Sequence, residues 1–343
     1  MYIFYQYEKT LPVNFDINEY QIHLNGFLKF RSEGERLAMS NYRFIVNPTS
    51  GRGAGELAVP EIRKYCNLQG IEYDIVRTER TQHAISLTRD AINEKKEVIV
   101  AVGGDGTANE VINGLMYEPN DSVNNPVMGI LGVGRGNDFA YGLGIPSGIT
   151  DGFDILIRNQ YRPIDVGHVV GGLYPQGRYF GNGVGIGFDA VVGFEALKMT
   201  KLHGFLSYII AAIKTIFLYY NAPMVRLEYN NETISLPALM ISIMNGRRMG
   251  GGFLMAPHAE MDDGILNLCI AGEVSKAKIF YLILHFMKGT QDSQKEIRTA
   301  KIKDLKVTAI EGSLPTHADG ETICVDGSNL NVKLISRAIN VIC

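Results

Sequence analysis

From Tyr42 onward, short apolar runs alternate with segments whose apolar positions recur every three or four residues. The pattern predicts a strand over Arg43–Val46 and a helix from Glu56 to Gln69, with Leu57, Ile62, Tyr65 and Leu68 on its apolar face. A strand over Glu72–Arg77, a helix from His83 to Glu94 and a fully buried strand over Val98–Val102 follow. Val111, Ile112 and Leu115 mark another helix, and Val127–Leu131 a further strand. Strands separated by helices of this length imply an α/β domain, a parallel sheet flanked by helices with right-handed crossovers. Near Pro163 the character changes. Short β-rich runs at Val166–Val170, Tyr179–Val184, Met224–Tyr229, Thr233–Met244, Ile265–Ile270 and Leu305–Ala309 are broken by Gly, Asn and Pro. Helical patterns interrupt them near Phe188–Tyr220 and Lys276–Lys288. This part reads as a second, antiparallel β-sandwich domain with helical insertions. The expected division is an N-terminal extension over 1–40, an α/β domain over 41–163 and a sandwich over 164–329. A return of 330–343 to the first domain is left open.

Three predicted strands of the first domain run into glycine-rich turns. Val98–Val102 ends in Gly103-Gly104-Asp105-Gly106-Thr107, with a helix pattern directly after it. A buried strand, a turn poor in side chains and a helix start let backbone N–H groups lie against a phosphate. Asn47-Pro48-Thr49-Ser50-Gly51 follows the first strand, and Gly132-Val133-Gly134-Arg135-Gly136-Asn137-Asp138 follows the fourth. In parallel sheets ligands sit beyond the carboxyl ends of the strands, so these turns can face one crevice. Arg135 is a candidate phosphate contact; Asn137 and Asp138 are candidate nucleotide contacts, and either is also a candidate helix cap.

Composition narrows the classes. A length of 343 residues suggests two domains. Thirty-three basic against 36 acidic residues, with no long basic run, leaves nucleic-acid binding without electrostatic support. Cys66, Cys269, Cys324 and Cys343 are scattered, which indicates free thiols and a cytoplasmic setting rather than a zinc site or a disulfide framework. The N-terminus lacks the pattern of a signal peptide. The apolar stretch Phe205–Tyr220 contains Lys214 and is short for a bilayer span, so a mostly buried helix is expected, with a helix lying on a membrane surface as the alternative.

Acidic residues near the turns supply candidate chemistry. Asp105 would act on bound Mg²⁺ or on a substrate hydroxyl. Glu260, Asp262 and Asp263 beside Gly264 could form an oxygen-ligand site for Mg²⁺. Phosphoryl transfer to a hydroxyl needs a carboxylate to accept its proton, which makes Asp319 and Glu321, in Asp319-Gly320-Glu321, candidates once a nucleotide site is granted.

The motifs occur in order: Asn47-Pro-Thr-Ser-Gly51, Gly103-Gly-Asp-Gly-Thr107, Gly136-Asn-Asp-Phe-Ala140, Asn245-Gly-Arg247 with Gly250-Gly-Gly-Phe253, Asp262-Asp-Gly264 and Asp319-Gly-Glu321. As a set, from about residue 42 to the C-terminus, the chain resembles the diacylglycerol kinase catalytic family, which includes bacterial lipid kinases and sphingosine and ceramide kinases. The resemblance implies an α/β nucleotide-binding domain, a β-sandwich domain and an active site in the cleft between them. It implies ATP and Mg²⁺ as cofactors and γ-phosphoryl transfer to a lipid hydroxyl, foremost diacylglycerol to phosphatidate. It places Asn47, Ser50, Gly51 and Thr78 near the nucleotide and has Gly103, Gly104, Asp105, Gly106, Thr107 and Asn109 cradle its phosphates. It also makes Asp105 the acid tied to the active-site metal, and gives a structural Mg²⁺ site to Asp263 with the backbone oxygens of Glu260 and Ile265. Glu321 matches the proton acceptor, with Asp319 beside it. Arg135 departs from the Thr or Ser usual at that step. It either supplies a charge-assisted phosphate contact or alters nucleotide preference. The resemblance implies a membrane lipid as substrate, transient contact with a membrane surface and a peripheral location; a homodimer is left open. An NAD kinase-like phosphotransferase, another lipid kinase and a non-catalytic binding protein remain rival readings.

Overall fold

A computed structural model describes residues 41–117, 126–198, 205–218 and 220–343. The first lobe is a parallel sheet in the order β2-β1-β3-β4, made of β1 (Asn41–Val46), β2 (Glu72–Arg77), β3 (Val98–Gly103) and β4 (Val127–Gly132). Helices α1 (Ala54–Gln69), α2 (His83–Asn93) and α3 (Asp105–Leu115) connect successive strands. The period of two along a strand sorts its side chains between two buried faces. Phe44, Val98, Val100 and Val102 pack with Ile62 of α1 and with Phe153 of α5 (Ile149–Arg158). Ile45, Ile99 and Ala101 pack on the opposite face with Ala84, Val111 and Ile112. A sheet covered on both sides must be apolar at every position, which explains the unbroken run in β3. The short helix α4 (Asp138–Gly142) precedes α5.

The second lobe is antiparallel. It comprises β5 (Tyr161–Gly171), β6 (Tyr174–Phe180), β7 (Gly183–Gly187), β8 (Met224–Tyr229), β9 (Glu232–Met244), β10 (Leu266–Gly272), β11 (Ile297–Ile302), β12 (Asp304–Ala309), β13 (Thr316–Ala318), β14 (Glu321–Cys324) and β15 (Asn329–Ile342). Val169, Phe180, Ile186, Leu227, Ile243, Leu268 and Val307 form its core. Helices α6 (Phe188–Leu197), α7 (Phe205–Leu218) and α8 (Lys276–Lys288) cover the outer side of β9 and β10 through a separate apolar cluster. The helical pattern expected near Phe188–Tyr220 is thus two helices, with 199–204 outside the described residues, as is the extension expected over 1–40. The expected mostly buried helix is buried on one face only. Ala211, Ala212 and Ile216 of α7 are buried, while Leu206 and Phe217 are 54% and 64% exposed. Among the described residues no helix is long and apolar enough to cross a membrane.

Two long strands join the parts. The first half of β9 pairs with β8 and its second half with β7 and β10. Strand β15 begins against β12, runs along β5 and ends beside β4, with Val341 opposite Met128. Its register against β5 shifts between Ile335 and Ile339. The fully buried Asp165 of β5 holds this irregularity. It accepts from Ser336 Oγ at 3.0 Å, Arg337 N at 2.7 Å and Gly264 N at 2.6 Å. Asp165→Ala would leave three donors unpaired and is expected to destabilise the protein by about 3 kcal/mol or more, because each buried donor left unsatisfied costs about 1–3 kcal/mol. Denaturant unfolding checks this. A midpoint equal to that of the unsubstituted chain would show that the shift in β15 is held by other contacts.

Candidate active site

The three glycine turns pack directly on one another at the carboxyl ends of β1, β3 and β4. A Cβ on Gly51 would lie 2.1 Å from the Val133 carbonyl oxygen, and one on Gly134 would lie 2.3 Å from Gly104 Cα. Gly51 also has φ +56°, a conformation that glycine adopts without strain. At Gly103 a Cβ would meet Thr107 Oγ1 at 2.2 Å. Asn47 ties two turns together, donating from Nδ2 to Thr107 Oγ1 at 3.2 Å and accepting from Thr49 N and Oγ1. A cavity of about 470 Å³ opens over these turns, bordered by Ser50, Gly51, Gly104, Asp105, Gly106 and Arg135 on the first lobe. An adjoining cavity of about 420 Å³ reaches Asn47, Thr78, Thr107 and Glu110. Both are within the size range of small-molecule sites. Bare backbone beside a helix start is a surface onto which a polyphosphate fits.

The acids of this region have different partners. Asp105 accepts the Phe139 N–H at 3.0 Å, and burial raises its pKa against the pull of the amides around Asn137–Phe139. Asp138 faces the second lobe. Arg248 Nε donates to it at 2.8 Å, the Gly251 N–H at 3.0 Å, and Arg248 Nη2 also reaches the Gly136 carbonyl. Burial first, then the Asp105 charge, pushes Asp138 up to about 7. Asp138 therefore fastens the lobes together at the cavity wall. Asn137, expected near the nucleotide, accepts the Gly134 N–H through Oδ1 and shapes the turn. Arg135 is exposed and borders the cavity, with its charge felt by Tyr208 of α7.

Two of the expected residues are turned to structural work. Asn109 lines neither cavity. Its Nδ2 donates to Asp319 and to the Tyr179 carbonyl, and its Oδ1 accepts from Arg178 Nε and Nη2 at 3.0 and 2.7 Å. Asp319 is expected as a proton acceptor, yet four donors saturate its carboxylate: Asn109 Nδ2 at 3.0 Å and the N–H groups of Gly181, Asn182 and Gly183 at 2.7, 3.0 and 2.8 Å. These bonds hold the turn between β13 and β14, where Asp319 has φ +48°.

Glu321, two residues on, projects from that turn toward the Gly103–Thr107 turn of the first lobe. A Cβ on Gly106 would stand 3.3 Å from its Oε1. Glu321 borders both cavities and shares the larger with Asp105. Burial raises its pKa, with Glu110 and Asp319 adding to the rise and the Arg178 guanidinium opposing it. Arg178 is buried, donates from Nη1 to Tyr174 Oη and is absent from any sequence motif; only an arginine inside a β-rich run could have hinted at it.

The third acidic group lies apart, in the loop before β10. Asp263 Oδ1 accepts the Ile265 N–H at 3.1 Å. Burial raises the Asp263 pKa, Lys301 opposes the rise, and Asp165 and Glu260 add to it. Clustered acids that repel are the setting a hard cation relieves, so Asp263 and Glu260 fit such a site. Asp262 does not join them, being paired with Arg162 Nη1 at 2.5 Å. Among the described residues no three His, Cys, Asp or Glu side chains converge as metal ligands. A cation there would depend on backbone oxygens as well.

Comparison with known proteins gives the same organisation. Residues 41–169 match the diacylglycerol kinase catalytic domain, and residues 182–343 match the YegS C-terminal NAD kinase beta sandwich-like domain. A protein of Staphylococcus saprophyticus named diacylglycerol kinase is 28% identical over 81% of this chain and 88% of its own length. One of Staphylococcus carnosus with the same name is 27% identical over the same shares. A crystal structure of a Bacillus anthracis protein shares the fold with a TM-score of 0.72 at 23% identity, covering 90% of this chain and 98% of that one. A diacylglycerol kinase from the same organism gives 0.66 at 19% identity, with the same coverage. With matches to both domains in sequence order, across a fold that brings the three glycine turns and the Glu321 carboxylate to one cleft, the chain belongs to the diacylglycerol kinase catalytic-domain family and is an enzyme of the lipid kinase kind.

Proposed function

We propose that the protein transfers the γ-phosphoryl group of ATP to the free hydroxyl of a diacylglycerol, forming phosphatidate and ADP. The observation that carries this reading is Glu321. It is a carboxylate at the wall of the phosphate cavity with no hydrogen bond to the described residues, while Asp105 and Asp319 are held by backbone amides. The turns at Ser50–Gly51, Gly103–Thr107 and Gly134–Arg135 would bind the triphosphate through N–H groups, and Arg135 adds a positive charge. Asp105 would hold Mg²⁺, which when bound neutralises charge on the phosphates. Glu321 takes the proton from the lipid hydroxyl as its oxygen bonds to the γ-phosphorus and the bond to the β–γ bridging oxygen breaks. Asp263 with the backbone of Glu260 and Ile265 would hold a second, structural cation.

The outer faces of α7 and α8 support delivery of the acceptor from a membrane surface. They expose Ile213, Phe217, Phe280 and Leu284, and the Phe217 and Phe280 rings approach to 6.2 Å. Apolar side chains standing together in water are stabilised by entering a lipid interface. A peripheral protein working from the cytoplasm fits this surface.

An acceptor panel with ATP, including diacylglycerol and NAD, tests the reaction; transfer to NAD and not to diacylglycerol would reject it. Glu321→Gln is expected to lower kcat by about 10²–10⁴-fold, the usual worth of a positioned general base, with the affinity for ATP unchanged. The kcat of the unsubstituted enzyme should fall on acidification through a pKa above the ordinary glutamate range, because the base must be ionised and burial raises its pKa. Arg178→Gln removes an opposing positive charge and should move that acid limb to higher pH, read from pH–rate profiles. In a flotation assay with anionic vesicles, Phe217→Ser with Phe280→Ser should reduce bound protein several-fold; equal binding would remove this face from the account.

A further inference from the structure

The run Gly250-Gly251-Gly252 has no part in the chemistry above, yet it is the seat of the first turn of α7. A Cβ on Gly252 would lie 2.4 Å from Phe205 Cδ2, and one on Gly250 would lie 3.1 Å from Tyr208 Cδ1. Gly250 and Gly251 have φ +64° and +79°, which glycine adopts without strain. A Cβ on Gly251 would stand 3.6 Å from Gly136 Cα, so the same run also lies against the Gly132–Asp138 turn of the first lobe. Asp138 fixes it there by accepting the Gly251 N–H at 3.0 Å. The start of α7 is thereby held beside Arg135 and Gly136, and Tyr208 borders the larger cavity.

Tyr208 brings a phenol to a wall that is otherwise poor in free donors. From the second lobe, Asp189, Asp319 and Glu321 contribute carboxyl groups to this cavity. The Asn182 side-chain amide, on the same wall, donates to the Arg248 carbonyl at 3.0 Å. His317 accepts the Gly320 N–H on Nδ1, and its Nε2 stands beside Asp189 at Gly185. Tyr208 Oη has no hydrogen bond to the described residues, and its ring is half-buried. Burial first, then the charges of Asp105 and Asp138, pushes Tyr208 up to about 12, against the pull of Arg135. The phenol is therefore un-ionised at neutral pH and its proton is available to an acceptor. A donor left without a partner in such a wall is best satisfied by an anionic oxygen.

We infer that Tyr208 Oη donates a hydrogen bond to a non-bridging oxygen of the γ-phosphoryl group of ATP, which makes Tyr208 a catalytic residue of the transfer. The amides of the glycine turns reach that group from the first lobe. Its oxygens that face the second lobe meet carboxyl groups, which repel them, and the Tyr208 hydroxyl, which does not. During transfer, negative charge is spread over the three non-bridging oxygens. A donor already in place stabilises that charge without reorganising. ADP lacks the γ-phosphoryl group and gains nothing from Tyr208. This inference rests on the kinase reading for the identity of the nucleotide, but nucleotide binding is measured without turnover.

The test is Tyr208→Phe, which keeps the ring on Gly250 and removes only the O–H. MgATP and MgADP are titrated calorimetrically into the full chain without lipid, and phosphoryl transfer to diacylglycerol is measured separately. Tyr208→Phe should bind ATP about tenfold more weakly, the loss expected for one hydrogen bond to a charged group, with its affinity for ADP unchanged. Its kcat should fall about 10²-fold, because the bond strengthens as charge develops, with the KM for diacylglycerol unchanged. A ratio of ATP to ADP affinity equal in the two proteins overturns the inference, whether both affinities stay intact or fall together. So does a raised KM for diacylglycerol with ATP binding intact, which would put Tyr208 on the acceptor. Transfer at full rate by Tyr208→Phe rejects this contact and leaves the kinase reading standing. Selective loss of ATP affinity in Tyr208→Phe, with no transfer to diacylglycerol by the unsubstituted protein, upholds the contact and rejects the kinase reading for that acceptor alone.

Discussion

The carboxylate of Asp319 is the contact on which the site depends. A carboxylate taken out of water is costly unless its lone pairs are filled. Here three consecutive amides, Gly181 to Gly183, and the side chain of Asn109 fill them. The amides belong to the second lobe and Asn109 to α3 of the first. One acid therefore fixes the β13–β14 turn against its own sheet and against the helix that begins at the phosphate turn. Glu321 is carried to Gly106 as a consequence. Charge-assisted hydrogen bonds are stronger than neutral ones, and four of them on one group leave it little freedom to move. Asp319 thus orients Glu321, although it too lines the larger cavity.

The acids around the cleft are separated in role by their surroundings, since their chemistry is nearly the same. Asp105 is pinned by the amides leading into α4, Asp138 spans the lobes to Arg248, and Asp319 is enclosed by donors. Glu321 is left with a pKa raised by burial and a carboxylate with no hydrogen bond to the described residues. Arg178 moderates the rise. Its guanidinium is fixed on Asn109, so the positive charge stays near Glu321 without an ion pair that would occupy the carboxylate. Glycine does the corresponding work for the backbone. The contact of Gly134 with Gly104 and of Gly51 with Val133 leaves no room for a methyl group. The three turns form one rigid floor only because their side chains are missing.

Much of the first lobe was legible in the chain because its signals are local. The alternation of buried strand and amphipathic helix over 42–131 follows from side-chain periods of 2.0 and 3.6 residues, and each glycine turn directly follows the strand it ends. The acids Asp105, Glu321 and Asp263 stand in short motifs, and a local reading suffices to nominate them. Strands β13 and β14, with three and four residues, are too short to carry a period, and β11 buries only its end residues Ile297 and Ile302. The helix over Ile149–Arg158 lies outside the elements expected from the sequence, although Phe153 and Leu156 are in the core.

What tertiary structure alone decided is which of several similar polar groups stays free. The sequence determined two lobes, three glycine-rich turns at strand ends and a pool of candidate acids, since these depend on neighbours within a few positions. It could not distinguish Asp319 from Glu321, because the donors that saturate the first come from residues 109 and 181–183. Nor could it show that Asn109 serves Arg178 or that β15 returns to pair beside β4. Hydrogen-bond saturation and desolvation are sums over groups brought together from distant parts of the chain, and no window of sequence contains them.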